Sequence, residues 1–118
     1  MDIRPKTIIC DIDGTLVYHQ SPDQNARGQK PHILEGTLDK LNEWESKGYN
    51  IILITGRKES TRLNTEQQLS SLGIYYDQLI MGVGGGERIL INDCKDNGDK
   101  YATAINIERN KGIKNINI

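Results

Sequence analysis

The chain has 118 residues, enough for about one compact domain and too few for a second full one. Hydrophobic residues make up 36% and charged residues 26%; aromatics are 5% with no Phe, so the core has to be aliphatic. Fifteen Lys and Arg face sixteen Asp and Glu, a formal charge of −1, which carries neither the basic footprint of a nucleic-acid binder nor an acidic tail. Apolar runs stop at about four residues, as in Ile51–Ile54, whereas a membrane span needs about twenty. Met1–Lys6 lacks the apolar stretch of a secretory signal. Two cysteines, Cys10 and Cys94, cannot supply a disulfide framework. A single domain over residues 1–118 with a cytoplasmic location is expected.

In chain order, Thr7-Ile8-Ile9-Cys10 is the first strand and ends at Asp11. Residues 18–32 are polar, contain two of the three prolines and read as irregular. Leu38, Leu41 and Trp44 recur at helical spacing, and Lys47-Gly48 supplies a cation and a glycine stop. Ile51-Ile52-Leu53-Ile54 is the second strand and ends at Thr55. A second helix is predicted from about Ser60 to Leu72, with Leu63, Leu69 and Leu72 on one side and Gly73 as its stop. Ile89-Leu90-Ile91 is the third strand and ends at Asn92-Asp93; residues 79–81 and 102–107 are weaker strand candidates. Residues 110–118 are compatible with either a last short strand or a frayed end. Continuous rather than alternating apolar runs suggest strands buried on both faces of a parallel sheet. Strand, helix, strand, helix, strand then implies an α/β, Rossmann-like parallel sheet with helices on both faces.

The chemistry is positional. Asp11, Thr55 and Asp93 each follow directly after an apolar run, and ligands of open α/β sheets bind outside the carboxyl ends of the strands. Asp13 lies two residues past Asp11, before the turn residues Gly14-Thr15. Acids from two strands suit a hard divalent cation such as Mg²⁺, which prefers oxygen ligands and keeps several waters. Thr55 and the amide of Gly56 are placed to hold phosphate oxygens, with the second helix opening just beyond.

Asp11-Ile12-Asp13-Gly14-Thr15-Leu16 resembles the first motif of the haloacid dehalogenase-like phosphohydrolase superfamily. Thr55 resembles its second motif and Asp93 its fourth, in the same order and at the same strand ends, over residues 7 to about 100. The resemblance implies a Mg²⁺-dependent phosphomonoester hydrolase working through an aspartyl-phosphate. It makes Asp11 the nucleophile and a metal ligand. Asp13 becomes the acid–base residue, with its carbonyl on the metal. Thr55 and Gly56 hold the phosphoryl group, and Asp93 completes the metal site. The family's third motif is a Lys, and none stands in the usual place. Arg88 is the substitute, with Lys58 and Lys95 as rivals. The pairing of Asp13 with Asp11 points to the phosphatase and phosphomutase branches.

The interval from the first motif to the second strand is too short for a cap domain, and Gly82–Glu87 is only a loop, so the chain reads as capless. A small phosphorylated substrate such as a sugar phosphate is expected. No nucleic acid or membrane is expected as partner; a second copy could cover the open site. Two rival readings use the same residues. One is a non-catalytic metal- or phosphate-binding regulatory domain of this fold. The other is a phosphoacceptor receiver domain, disfavoured because Met81-Gly82 offers no Asp at a third strand end. Arg57 and Arg62 read as a solvated helix face, His19 and His32 as surface residues, Cys10 and Cys94 as buried thiols near each other, and Trp44 as core.

Overall fold

The computed structural model describes residues 3–118; Met1 and Asp2, the start of the segment read above for a targeting signal, lie outside the described residues. The elements are β1 (Thr7–Asp11), α1 (Pro22–Ala26), α2 (Thr37–Ser46), β2 (Asn50–Ile54), a 3₁₀ turn (Glu59–Thr61), α3 (Arg62–Ser71) and β3 (Gln78–Ile80). The three strands form one parallel sheet in the order β1-β2-β3. Thr7 lies opposite Asn50 and Asp11 opposite Ile54; Ile54 in turn lies opposite Ile80. This is the expected Rossmann-like α/β sheet, and among the described residues no helix is long and apolar enough to cross a membrane.

Burial alternates along the strands. Ile8, Cys10, Ile51, Leu53 and Leu79 are buried and join Leu41 and Trp44 of α2 and Leu69 of α3 in one cluster. Ile9 and Ile80, one residue out of phase, are about half exposed, and Ile52 and Ile54 are half-buried. Both helices that serve this core therefore cover the same sheet face. Burial of every strand on both faces, expected from the continuous apolar runs, is not what the chain does. Successive crossovers that step in one direction, β1 to β2 to β3, put both connections on one side.

The helix limits follow from local chemistry. At the end of α2 the Gly48 amide donates to Glu45 and the Tyr49 amide to Trp44, with Gly48 at a φ of 78°. Gly73 closes α3 in the same way. The stretch 18–32, read as irregular, contains α1. Ser21 accepts from the Gln24 amide while the Gln24 side chain accepts from the Ser21 amide, with Pro22 at the first helical position. In α3 the buried face is Thr65, Gln68 and Leu69. Leu63 is exposed because six residues turn it away from Leu69.

The third strand is where expectation and structure part. β3 comes from the weaker candidate. A short connection from Gly73 returns the chain directly beside β2, where the Asp77 amide donates to the Ile51 carbonyl and the Asp77 carboxylate accepts from the Ile51 amide. Residues 89–93 form no strand: Ile89, Leu90 and Ile91 are 77%, 63% and 91% exposed. The run is only three residues long and follows Gly82-Val83-Gly84-Gly85-Gly86, whose backbone loses much freedom on ordering. Residues 102–107 are likewise not a strand, although Ile107 packs on the core. The tail is neither strand nor frayed end. The Asn110 amide donates to the Gly14 carbonyl, Ile113 is buried, and Lys47 holds the Ile118 carbonyl at 2.8 Å.

Candidate active site at the carboxyl ends of β1 and β2

Asp11 is the last residue of β1, and Thr55 directly follows its register partner Ile54. The two stand at the same end of adjacent parallel strands. After Asp11 the chain turns tightly: the amides of Thr15, Leu16 and Val17 all donate to the Ile12 carbonyl, and Gly14 donates to Val17. Gly14 sits at a φ of 84°, a region that costs a side chain but not glycine. Ile12, Leu16 and Val17 are buried and anchor the turn, while Asp11 stays about one-third exposed and Asp13 only partly so.

The tail braces this turn from outside. The His19 amide donates to the Asn110 side chain at 2.8 Å, and the Arg109 stem lies against Gly14. Asn110 is the one described non-glycine residue at positive φ, 67°.

Thr55 is buried and its hydroxyl accepts from the Arg57 amide at 3.1 Å. Its own amide donates to Ile80 and its carbonyl accepts from Val83, so the β2–β3 ladder extends into the site. Gly56 packs so closely on the Gly84 carbonyl that an added Cβ would stand 3.2 Å from that oxygen. The glycine-rich loop is thus the rim of the site, and Arg88 follows it. An Arg88 nitrogen is 3.1 Å from an Asp11 carboxylate oxygen, both side chains about one-third exposed.

Asp13 has the stronger partner. Arg57 grips both its oxygens, at 3.0 and 2.8 Å, in the two-pronged geometry that a guanidinium and a carboxylate share. The Arg57 side chain is 6% exposed and that of Asp13 16%. The remaining donors of Arg57 reach the Thr65 hydroxyl at 3.3 Å and the Gln68 carbonyl oxygen at 2.7 Å. Arg57 is therefore not part of a solvated helix face, as the sequence reading had it. The sequence carried no signal for this: Thr65 and Gln68 read as ordinary polar helix positions until the fold turns them inward, where polar groups need a partner. Arg62 is also engaged, with Glu59 and with the Leu79 carbonyl.

The structure brings Asp11, Asp13, Thr55, Gly56 and Arg88 to one end of the sheet. It does not deliver Asp93 on a strand, since Asp93 is exposed in the irregular segment. Among the described residues no three His, Cys, Asp or Glu side chains gather to hold a metal. What the sheet end does offer is oxygen-only donor chemistry: an accessible Asp11 carboxylate beside the Asp13 main chain. That suits Mg²⁺, which needs one or two carboxylates and keeps its waters. His19 and His32 are exposed, as read from sequence. Cys10 is buried while Cys94 is exposed, so the expectation of two buried thiols holds only for Cys10. Burial, with the adjacent Asp11 charge adding to it, pushes the Cys10 thiol up to about 12.

A family model described as the LNS2 domain of PITM 1-3 matches residues 8–93, well over half of the chain, from within β1 to Asp93. The chain belongs to the LNS2 domain family. That family is haloacid dehalogenase-like, which agrees with the resemblance carried by Asp11–Leu16. No curated protein matches the chain. Among solved structures, two of the Pnkp1/Rnl/Hen1 complex, one described as an RNA repair complex, are 31% and 32% identical. They cover 72% and 65% of this LNS2 chain with TM-scores of 0.58 and 0.57. The chain spans only 30% and 25% of those proteins' lengths. A Vibrio cholerae protein, 18% identical with a TM-score of 0.54 over 82% of this chain and 79% of its own, shares the fold. A D,D-heptose 1,7-bisphosphate phosphatase from B. bronchiseptica, complexed with magnesium and phosphate, aligns at 21% identity and a TM-score of 0.46, over 68% of this chain and 51% of its own.

Proposed function

We propose that this LNS2 chain is a Mg²⁺-dependent phosphomonoester hydrolase that works through an aspartyl-phosphate on Asp11. The observation that carries the reading is the meeting of three groups at one sheet end: the Asp11 carboxylate, Asp13 two residues on, and the buried Thr55 hydroxyl across the β1–β2 register. An Asp11 oxygen attacks phosphorus as the bond to the leaving oxygen breaks, and Asp13 gives that oxygen its proton. Water then attacks the same phosphorus and gives a proton to Asp13, and the bond to Asp11 breaks to release phosphate. A carboxylate nucleophile divides one hard hydrolysis into two easier displacements. Thr55, the Gly56 amide and Arg88 hold the phosphoryl oxygens, and positioning with charge stabilisation supplies most of the rate in such transfers. The Asp11 carboxylate and the Asp13 carbonyl would hold Mg²⁺; Asp93, exposed in the irregular segment, is the candidate for a further ligand that the structure does not bring to them. When bound, the ion offsets repulsion between two anions.

The substrate proposed is a small phosphorylated molecule such as a sugar phosphate, in keeping with the absence of a basic surplus. A second reading, a phosphorylated oligonucleotide end, draws on the similarity to a chain of an RNA repair complex. A panel of sugar phosphates, aryl phosphates and phosphorylated oligonucleotides, run with Mg²⁺ and with chelator, tests both. Turnover of sugar phosphates above oligonucleotides supports the first reading, and the reverse order replaces it with the second. Binding of phosphate with no turnover of any substrate would identify a non-catalytic binding domain instead. Asp93→Asn is expected to raise the Mg²⁺ requirement; an unchanged requirement removes Asp93 from the metal site.

A further inference from the structure

The Asp13–Arg57 pair is built more firmly than a surface ion pair. Arg57 comes from the turn after β2, and its guanidinium is held from behind by two buried α3 residues, Thr65 and Gln68. Its outward edge takes both oxygens of Asp13. Its backbone amide meanwhile donates to the Thr55 hydroxyl and its carbonyl accepts from Gly82. One residue thus connects the acid–base carboxylate, the proposed phosphate-holding hydroxyl, α3 and the glycine-rich rim.

We propose that Arg57 is a positioning residue for proton transfer by Asp13, set in place by Thr65 and Gln68; the inference rests on the phosphatase reading. Among the described residues, Arg57 is the side chain that holds the Asp13 carboxylate. A carboxylate on a turn after a strand samples several rotamers when untethered. Gripping both oxygens through one lone pair each confines the carboxyl group to one plane and one direction, and leaves its outward lone pairs to pass the proton to the leaving oxygen and then to take one from water. Small misplacements of such a group are costly, because proton transfer requires hydrogen-bond reach. Burying an Arg would be unfavourable without full pairing, and α3 uses two inward polar residues to supply it. That arrangement explains why the inward face of α3 carries Thr65 and Gln68 beside Leu69 instead of a fully apolar stripe.

The test is the dependence of rate on the leaving group. Protonation matters for an alkyl phosphate, whose alkoxide is a poor leaving group, and hardly at all for 2,4-dinitrophenyl phosphate. Arg57→Ala should lower kcat/KM by about 10²- to 10³-fold on the alkyl ester, within the range of general-acid effects. On the dinitrophenyl ester the loss should be about tenfold or less, so the variant's leaving-group dependence steepens. Added guanidinium should restore the alkyl reaction preferentially. Arg57→Lys and Gln68→Leu should shift in the same direction by less. They decide the matter if Arg57→Ala does not fold, as judged by its circular dichroism melt. Equal losses on both esters, with no guanidinium rescue, would mean that Arg57 only supports the fold and would overturn the inference. If the wild-type chain hydrolyses neither ester, the phosphatase reading and this inference fall together. Wild-type turnover with parallel losses removes the Arg57 role alone.

Discussion

Arg88 stands 3.1 Å from the Asp11 carboxylate, at the far end of a glycine-rich loop that begins where β3 leaves the sheet. Asp11 would otherwise present an uncompensated charge at the mouth of the site, and an incoming phosphate adds more of the same sign. On the proposed phosphatase reading, this contact makes Arg88 the candidate for the third-motif cation, with Lys58 and Lys95 as its rivals. A charge-assisted hydrogen bond contributes about 1.5–3 kcal/mol. Arg88→Ala should therefore lower kcat/KM by about ten- to a hundredfold and weaken competitive inhibition by inorganic phosphate in parallel. Arg88→Lys should recover part of both. Steady-state kinetics with phosphate as inhibitor measure this, and an Arg88→Ala enzyme with normal phosphate inhibition would exclude Arg88 from the phosphate site.

The two aspartates should separate under the same isosteric change. Asp11 is one-third exposed beside an equally exposed Arg88, so Asp11→Asn should abolish turnover of an aryl phosphate while leaving the melt nearly unchanged. Asp13 is nearly buried against Arg57, and Asp13→Asn leaves that guanidinium with only a neutral amide oxygen to accept from it. It should lose both activity and about 1–3 kcal/mol of stability. Kinetics and urea melts on the two variants give the comparison. Substantial residual turnover by Asp11→Asn would remove it as the nucleophile.

Much of this site was legible because it lies on the chain at strand ends. Asp11 and Thr55 could be placed from two apolar runs, and the parallel register brought them together. Arg57 was not legible, because a cation two residues past a strand looks like any solvated residue until α3 is known to present Thr65 and Gln68 to it. The third strand misled for a related reason. Ile89-Leu90-Ile91 is more apolar than Gln78-Leu79-Ile80, yet strand pairing went to the segment that a short turn sets beside β2. Local composition competes with the entropy of closing a loop, and here the shorter closure won. The role of the tail also escaped the sequence, since Asn110 acts through contacts with residues nearly a hundred positions away.

That tail makes a specific demand on the start of α2. Gly36 precedes the helix at a φ of 86°, and a Cβ there would lie 2.6 Å from the Lys114 Cβ and 3.0 Å from its Cα. Backbone atoms cannot yield as a flexible side-chain tip does. Gly36→Ala combines the left-handed penalty of about 1–2 kcal/mol with displacement of the tail. A loss of roughly 2–4 kcal/mol is expected. Gly48, also at positive φ but with open space around it, should cost only the conformational part when changed to Ala. Denaturant melts of the two variants compare them directly; equal losses would show that the tail does not press on Gly36.

Cys10 gives the fold a dependence on alkaline pH. Its thiol is shifted from the ordinary 9.0 up to about 12, first by burial and then by the Asp11 charge. The folded chain therefore keeps the proton while the unfolded chain loses it. Below pH 9 the group has no effect on stability; between pH 9 and about 12 stability falls as pH rises. The limiting slope is about 1.4 kcal/mol per pH unit, which amounts to about 1 kcal/mol between pH 9 and 10. Cys10→Ala should be less stable at pH 7, because it leaves a small cavity, yet should lose less stability than the wild type over pH 9–11. Melts across that range measure the difference in slope, and identical slopes would show that Cys10 ionises as readily in the folded chain as in the unfolded one. The same burial should shield the thiol kinetically. At pH 8.5 an alkylating reagent should modify Cys94 quickly and Cys10 only on unfolding, and quantitative mass spectrometry of the two peptides distinguishes the sites.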